Sequence, residues 1–376
     1  MKFTIEQGRL VDVVNWVSRS LSTRPIQTAL LGIVIDAENN KVVLSGSDLE
    51  TASKASTEAE VSTPGKVLVP GKLLAEISRS LPNKPVTIQL DGTRVLVNAG
   101  SAKFTLPVLP IAEYPNLPDM PDILGTIDSE TFNQAVAQVS LAAGKDDSLP
   151  SLTGVHVEVN GENITMAATD RYRLAVRELT FSPARPNTEA VALIRARTLH
   201  DAVKTLVTTK NVNISLAPAT SNDRLAGFQT DSKSTTTRLL DGTFPPYRHL
   251  LPQESATTTV IEVAPFVDAV RRVALVTDKT IPLKLTFSGN TVTLEAGGGD
   301  EAQANEVFEI NKTGEDLSIA FNPDYLLDGL HAINAPYAQI SFNTASKAAI
   351  IMGKPDAGAV AVDNFKYLLM PTKFAY

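Results

Sequence analysis

The chain has 376 residues, 43% of them hydrophobic and 20% charged. That is too long for one ordinary core, suits two or three domains, and lacks a disordered composition. With no cysteine and a net charge of −7, the sequence excludes disulfides, thiolate metal sites and a surface that is basic all over, while leaving room for a local basic face.

Taken in chain order, the first element is the segment 4–17, TIEQGRLVDVVNWV, in which Ile5 leads through an acidic residue into an amphipathic helix. Leu10 and Val14 occupy its buried i, i+4 positions. Alternation over GIVIDAENNKVVLSGSD predicts a strand pair turning at Asn39-Asn40. VLVPGKLLAEISRSL (67–81) then runs from a strand into a second helix, with Pro70 near the start and the apolar stripe opening around Leu73. The alternating SAKFTLPV reads as a strand, and the proline-rich YPNLPDMPDI (114–123) reads as a linker.

The plan then repeats. TIDSETFNQAVAQV (126–139) matches the first helix, with Ile127, Phe132 and Val136 in the equivalent places. GVHVEVNGENITMAATD supplies the strand pair, turning at Asn160-Gly161, and ALIRARTLHDAVKTL (192–206) the second helix, with Leu199 on its stripe. After a second proline-rich linker, FPPYRHLLPQE (244–254), the pattern returns in VIEVAPFVDAVRRV (260–273), KLTFSGNTVTLEAG with its Gly289-Asn290 turn, and IAFNPDYLLDGLHAI (319–333). Ile261, Phe266, Val270, Pro323 and Leu326 hold the matching positions. Two helices and a hairpin in one order, three times, predict an α+β chain of three tandem similar domains. Their expected bounds are 1–120, 121–252 and 253–376.

The six helical segments taken together are net positive, so the remainder is more acidic than the whole. The segment 323–331 runs against this trend. Lys72, Arg79, Arg197, Lys204, Arg271 and Arg272 are the helix cations that would face nucleic acid through loose, sequence-independent phosphate contacts.

A search for catalysis finds little. GGGD (297–300) lacks the Lys-Ser/Thr of a phosphate loop, and no GxSxG elbow occurs. The histidines His156, His200, His249 and His331 have no ligand spacing, and no metal or other cofactor is expected. Asp170 is the most enzyme-like carboxylate, although Arg171 and Arg173 beside it also suit an ion pair. Two alternatives to a protein that faces nucleic acid stand at this point: a β-rich scaffold for a protein or small ligand, and a hydrolase or transferase built on Asp170. No apolar run approaches the ~20 residues of a membrane span, and MKFTIEQGRL has no signal-peptide stretch. The expectation is a cytoplasmic protein without membrane partners.

AATDRYRLA (167–175), DGTFPPYRHLLP (241–252) and YLLMP (367–371) resemble segments of one family, the β subunits of bacterial DNA polymerase III, the sliding clamps. SLSTRPIQTALLGI (20–33) and FTLPVLPIAEYPNLP (104–118) extend the resemblance over essentially the whole chain. It implies a non-catalytic, head-to-tail homodimer forming a DNA-clamp ring around duplex DNA, closed by an ATP-driven clamp loader. It also implies a pocket between the second and third domains that docks short peptides of the polymerase catalytic subunit, other polymerases and repair proteins. By motif position that pocket would comprise Leu152, Thr169, Arg173, Leu174, Pro245, His249, Leu250, Leu368, Leu369, Met370 and Pro371. Arg24 matches a DNA-facing loop position, and GKDDSLPS (144–151) corresponds to another such loop but lacks aromatic residues. Arg171-Tyr172 stands where the motif commonly has a small residue and a histidine, and His249 where many members have arginine. For the ring joint, Ile77 and Phe104 would meet Ala274 and Leu275 of a second copy.

Overall fold

The computed structural model describes residues 1–22, 26–204, 206, 209–217, 224–251, 254–277, 282–297 and 302–372. Each repeat begins as the sequence predicts. Strands Lys2–Ile5, Ile123–Asp128 and Thr257–Glu262 lead directly into helices α1 (Gln7–Ser18), α3 (Ser129–Ser140) and α5 (Val263–Val273). Strands Gly65–Pro70, Glu189–Arg195 and Leu317–Phe321 precede α2 (Gly71–Ser80), α4 (Ala196–Lys204) and α6 (Pro323–Ala332). Leu10, Val14, Phe132, Val136, Phe266, Val270, Leu199 and Leu326 are all buried, so the i, i+4 rows face the core. On α2 the stripe begins at the fully buried Leu74, because Leu73 is turned outward and 42% exposed.

The hairpins follow their turn chemistry. Asn39 and Asn40 both have positive φ, as a two-residue turn matched to strand twist requires. The 154–169 pair turns at Gly161-Glu162, one residue later than the sequence suggests, because Asn160 still pairs with Asn163 and Gly161 takes the φ of +60°.

Among the described residues four antiparallel sheets result, and two of them have nine strands. In one, Lys233–Arg238 pairs with Thr51–Glu58, joining strands of the first and second repeats. In the other, Arg173–Thr180 pairs with Val362–Leu369, joining the second and third. A five-stranded sheet ends on Ala102–Pro107, and a four-stranded sheet ends on Ala304–Glu309. Compactness follows these sheets rather than the repeats. One unit comprises Met1–Thr131, Ser182–Thr188 and Asp201–Leu239; the other comprises Phe132–Phe181, Glu189–His200 and Leu240–Tyr376.

The two junctions differ in chemistry. That of the first unit is rich in hydroxyls: Ser20, Ser53 and Thr235 form a buried chain of hydrogen bonds. Beside them the Lys233 ammonium reaches Asp12 at 2.7 Å and lies over the Trp16 ring. The junction of the second unit is apolar, with Leu174 opposite Leu368 and Ala175 opposite Tyr367.

Candidate functional site

The strand pair Arg173–Thr180 and Val362–Leu369 sorts the motif residues by the two-residue alternation of a strand. Leu174, Val176 and Leu368 join Ala167, Leu193, Phe244 and Tyr247 in one buried cluster, against which Leu240, Leu251 and Ala348 pack. The linker therefore lies over that face of the sheet. Thr169 pairs with Leu174 in the ladder, and its hydroxyl donates to the Arg173 carbonyl at 2.7 Å. Around this floor, Pro245 and Pro371 are half-buried, while His249, Leu250 and Met370 are exposed. Leu250 and Met370 leave 46% and 39% of their surface open, so an apolar ligand has side chains to cover. Leu152 is buried, and its carbonyl accepts from the Gly144 amide at 2.8 Å.

Two residues of the expected pocket take the other face of the strand pair. Arg173 pairs with Leu369 in the ladder, so both point to the opposite face from Leu174 and Leu368. Leu369 is buried like Leu174 and Leu368, but on that other face. Arg173, placed in the pocket by motif position, is committed within the chain. Its guanidinium donates to Asp170 at 3.0 Å, to Asp328 on α6 at 2.5 Å and to the Tyr367 hydroxyl at 3.4 Å. The same group lies 4.3 Å over the Tyr325 ring. Burial works against its charge, but the bonds to Tyr367 and Asp328 and the charge of Asp170 win and hold it more firmly protonated than usual. The Tyr367 hydroxyl donates onward to the Tyr325 carbonyl at 2.8 Å. Gly329 lets this ring lie flat on α6, since a Cβ there would run into it.

Asp170 accepts from the Tyr172 and Arg173 amides with one oxygen and from the Arg173 side chain with the other. Both oxygens are engaged in shaping the turn, the ion-pair arrangement that Arg173 beside Asp170 suits. Among the described residues no group of three or more potential metal ligands comes together, and no helix is long and apolar enough to cross a membrane.

His156 stacks on Phe244 at 5.1 Å, and Phe244 meets Tyr247 edge-on, fixing the linker to the sheet. Burial lowers the His156 pKa, with Glu158 opposing and Arg248 assisting. A polar-rimmed cavity of about 710 Å³ lies beside Tyr247, Arg248 and Leu251 on the same sheet face.

The helix cations separate by neighbourhood. In the first unit Lys72 and Lys204 are exposed, and Arg79 donates to Asn15 at 3.3 Å. In the second, Arg197 lines a cavity of about 950 Å³ with Lys145, Arg195 and His200. Arg271 meets His331 at 3.0 Å. Arg272 makes a forked pair with Glu306. Arg24 lies outside the described residues.

At the expected joint, Phe104 is half-buried on the edge strand, Ala274 is half-buried and Leu275 is 83% exposed. Ile77 is only 6% exposed and needs no second copy to cover it; Leu73, one turn earlier, is the exposed apolar residue of that row. Tyr325 and Asp328 are the residues that motif reasoning missed. Their i, i+3 spacing on an otherwise apolar helix face was the available signal.

Three family models match in succession: the N-terminal, central and C-terminal domains of the DNA polymerase III beta subunit, over residues 1–118, 126–246 and 248–373. The chain is similar to the beta sliding clamp of Streptomyces coelicolor, with 47% identity over 375 residues and 100% of both chains covered. It is 39% identical over 374 residues to the beta sliding clamp homolog GriR of Streptomyces muensis, again covering 100% of both. A crystal structure of a sliding clamp (DNA polymerase III subunit beta) from Pseudomonas aeruginosa bound to griselimycin superposes with a TM-score of 0.91 at 25% identity, covering 100% of both chains.

Proposed function

The chain belongs to the DNA polymerase III beta subunit family, the beta sliding clamps, and from that premise we propose that two copies close head to tail into a non-catalytic ring around duplex DNA. The observation that carries this reading is the strand count. Two sheets of nine strands each cross a junction between repeats, while sheets of five and four strands are left with open edges at Ala102–Pro107 and Ala304–Glu309. Set edge to edge between copies, five and four make a third nine-stranded sheet, and two such joints close a ring of six repeats bounded at 1–120, 121–252 and 253–376. An open edge otherwise invites unspecific pairing. Here it meets a complement: Lys103 lies on one edge and Glu309 on the other, with Val307 61% and Leu275 83% exposed.

Such a ring holds DNA by topology, so its contacts can be weak. Lys72, Arg79, Arg197, Lys204 and Arg271 would provide them without reading sequence. Leu174, Leu368, Pro245, Leu250, Met370 and Pro371, with Thr169, His249 and Leu152 around them, would receive a short Leu/Phe-bearing peptide. The adaptable Met370 suits several different peptides. Partners would be the polymerase catalytic subunit, other polymerases, repair proteins and an ATP-dependent loader in the cytoplasm, each gaining effective concentration at the DNA by tethering. Sedimentation equilibrium tests the joint: the parent protein is expected to be a dimer at micromolar concentration, and Leu275→Asp with Val307→Asp a folded monomer. A parent monomer, or a doubly substituted dimer, contradicts the proposal.

A further inference from the structure

The turn between the paired strands Asn163–Thr169 and Arg173–Thr180 carries Asp170, Arg171 and Tyr172. Arg171 adopts φ of 79°, and its charge is felt at Asp146 in the loop after α3. Tyr172 turns outward and is 56% exposed, a large amount for an aromatic side chain. Its ring stacks on Tyr325 at 6.3 Å, and its carbonyl accepts from the Met370 amide at 2.9 Å. The exposed ring is thus held beside the open side chain of the peptide pocket rather than swinging free.

The charge around this shelf is unbalanced. Asp170 and Asp328 pair with the guanidinium of Arg173, and Asp324 precedes Tyr325 on α6, where its charge and that of Asp170 act on the tyrosine. Asp324 is exposed in the first turn of α6, and the Asp328 side chain is 48% exposed. Against Arg173 and the exposed Arg171 of the same turn, these three carboxylates still leave one negative charge in excess beside an aromatic face. A cation is attracted both by the ring quadrupole and by uncompensated carboxylate charge. An acidic residue meets neither.

We propose that Tyr172, backed by Tyr325 and Asp324, selects docking peptides that carry a lysine or arginine next to their apolar anchors. The inference rests on the peptide pocket proposed above and adds to it a preference set by this chain's own turn. The occupant is a cationic residue of the partner peptide, its aliphatic stem on the Tyr172 ring and its charge toward Asp324.

The test is fluorescence anisotropy on the full-length protein with a labelled Gln-Leu-Ala-Leu-Phe core peptide. It is compared with versions carrying Lys, Ala or Glu at each of the two positions before and after the core. Lys at one or more of these positions is expected to bind about three- to tenfold more tightly than Ala at low salt, and Glu more weakly than Ala. In Tyr172→Ala the Lys-to-Ala affinity ratio is expected to fall to about one, in Asp324→Asn to fall partway, and in Tyr172→Phe to persist. A ratio near one at every position in the parent, or a ratio that survives Tyr172→Ala, overturns the preference while leaving the pocket intact. Failure of the core peptide itself to bind overturns the pocket reading, and this inference with it.

Discussion

Replacing Arg173 by Met tests whether its guanidinium is a structural tie or a free peptide contact. The side chain is 5% exposed and pairs with Asp170 and Asp328, whose side chains are 13% and 48% exposed. Breaking a buried ion pair from one side costs about 3–5 kcal/mol, because a charge is left unpaired. Asp328 can regain water and Asp170 cannot, so the expected cost lies at the lower end, about 3 kcal/mol. For the compact unit of roughly 200 residues that holds these groups, each kcal/mol moves Tm by about 2–4 °C. The expected fall is therefore about 6–12 °C in the calorimetric transition of that unit. Adding Asp170→Asn removes the stranded carboxylate, so the double variant should recover about 1 kcal/mol relative to the sum of the singles. A fall below about 2 °C, or strict additivity, would refute the tie and return Arg173 to the peptide pocket.

Two further outcomes follow from the same face. Burial holds His156 neutral in the fold, so its folded-state pKa lies below the unfolded value; its stabilising contribution is present above about pH 6.5 and declines as pH falls below it. His156→Phe, which keeps the stack on Phe244, should flatten the loss of urea stability between about pH 6.5 and 5; identical pH slopes would contradict this. Leu250→Ser and Met370→Asp alter exposed side chains and should weaken a Gln-Leu-x-Leu-Phe peptide at least about tenfold by calorimetric titration, with little change in Tm. Unchanged affinity in both would displace the pocket. Leu174→Asp is a poor probe, since Leu174 is 2% exposed and a charge there would disrupt the cluster itself.

What could be read in the sequence was local. Ile5, Ile127 and Ile261 each mark the end of a strand and the approach of a helix, because strand alternation gives way to helical periodicity within two residues. Turn residues located the hairpins to within one position, missing only the shift to Gly161-Glu162. Partners distant along the chain were hidden, because alternation says which face a residue takes and not which strand it meets. Nothing local to Thr235 points to Ser53, or to Leu174 its neighbour Leu368. Arg173 illustrates both sides: its motif position was plain, but its commitment to Asp328 depends on a helix 155 residues away. Leu369 follows Leu368 by one step along its strand and so takes the other face, a difference that the apolar run Leu368-Leu369 does not show in sequence.

The topological claim is tested most directly by retention on DNA. Loaded with its clamp loader and ATP onto a singly nicked circular plasmid, the protein should co-elute with DNA in gel filtration at a salt concentration that removes simple phosphate contacts. It should then leave when the plasmid is cut once. Retention on the linear product, or loss from the intact circle at that salt, would show that affinity rather than encirclement holds it, and would contradict the ring.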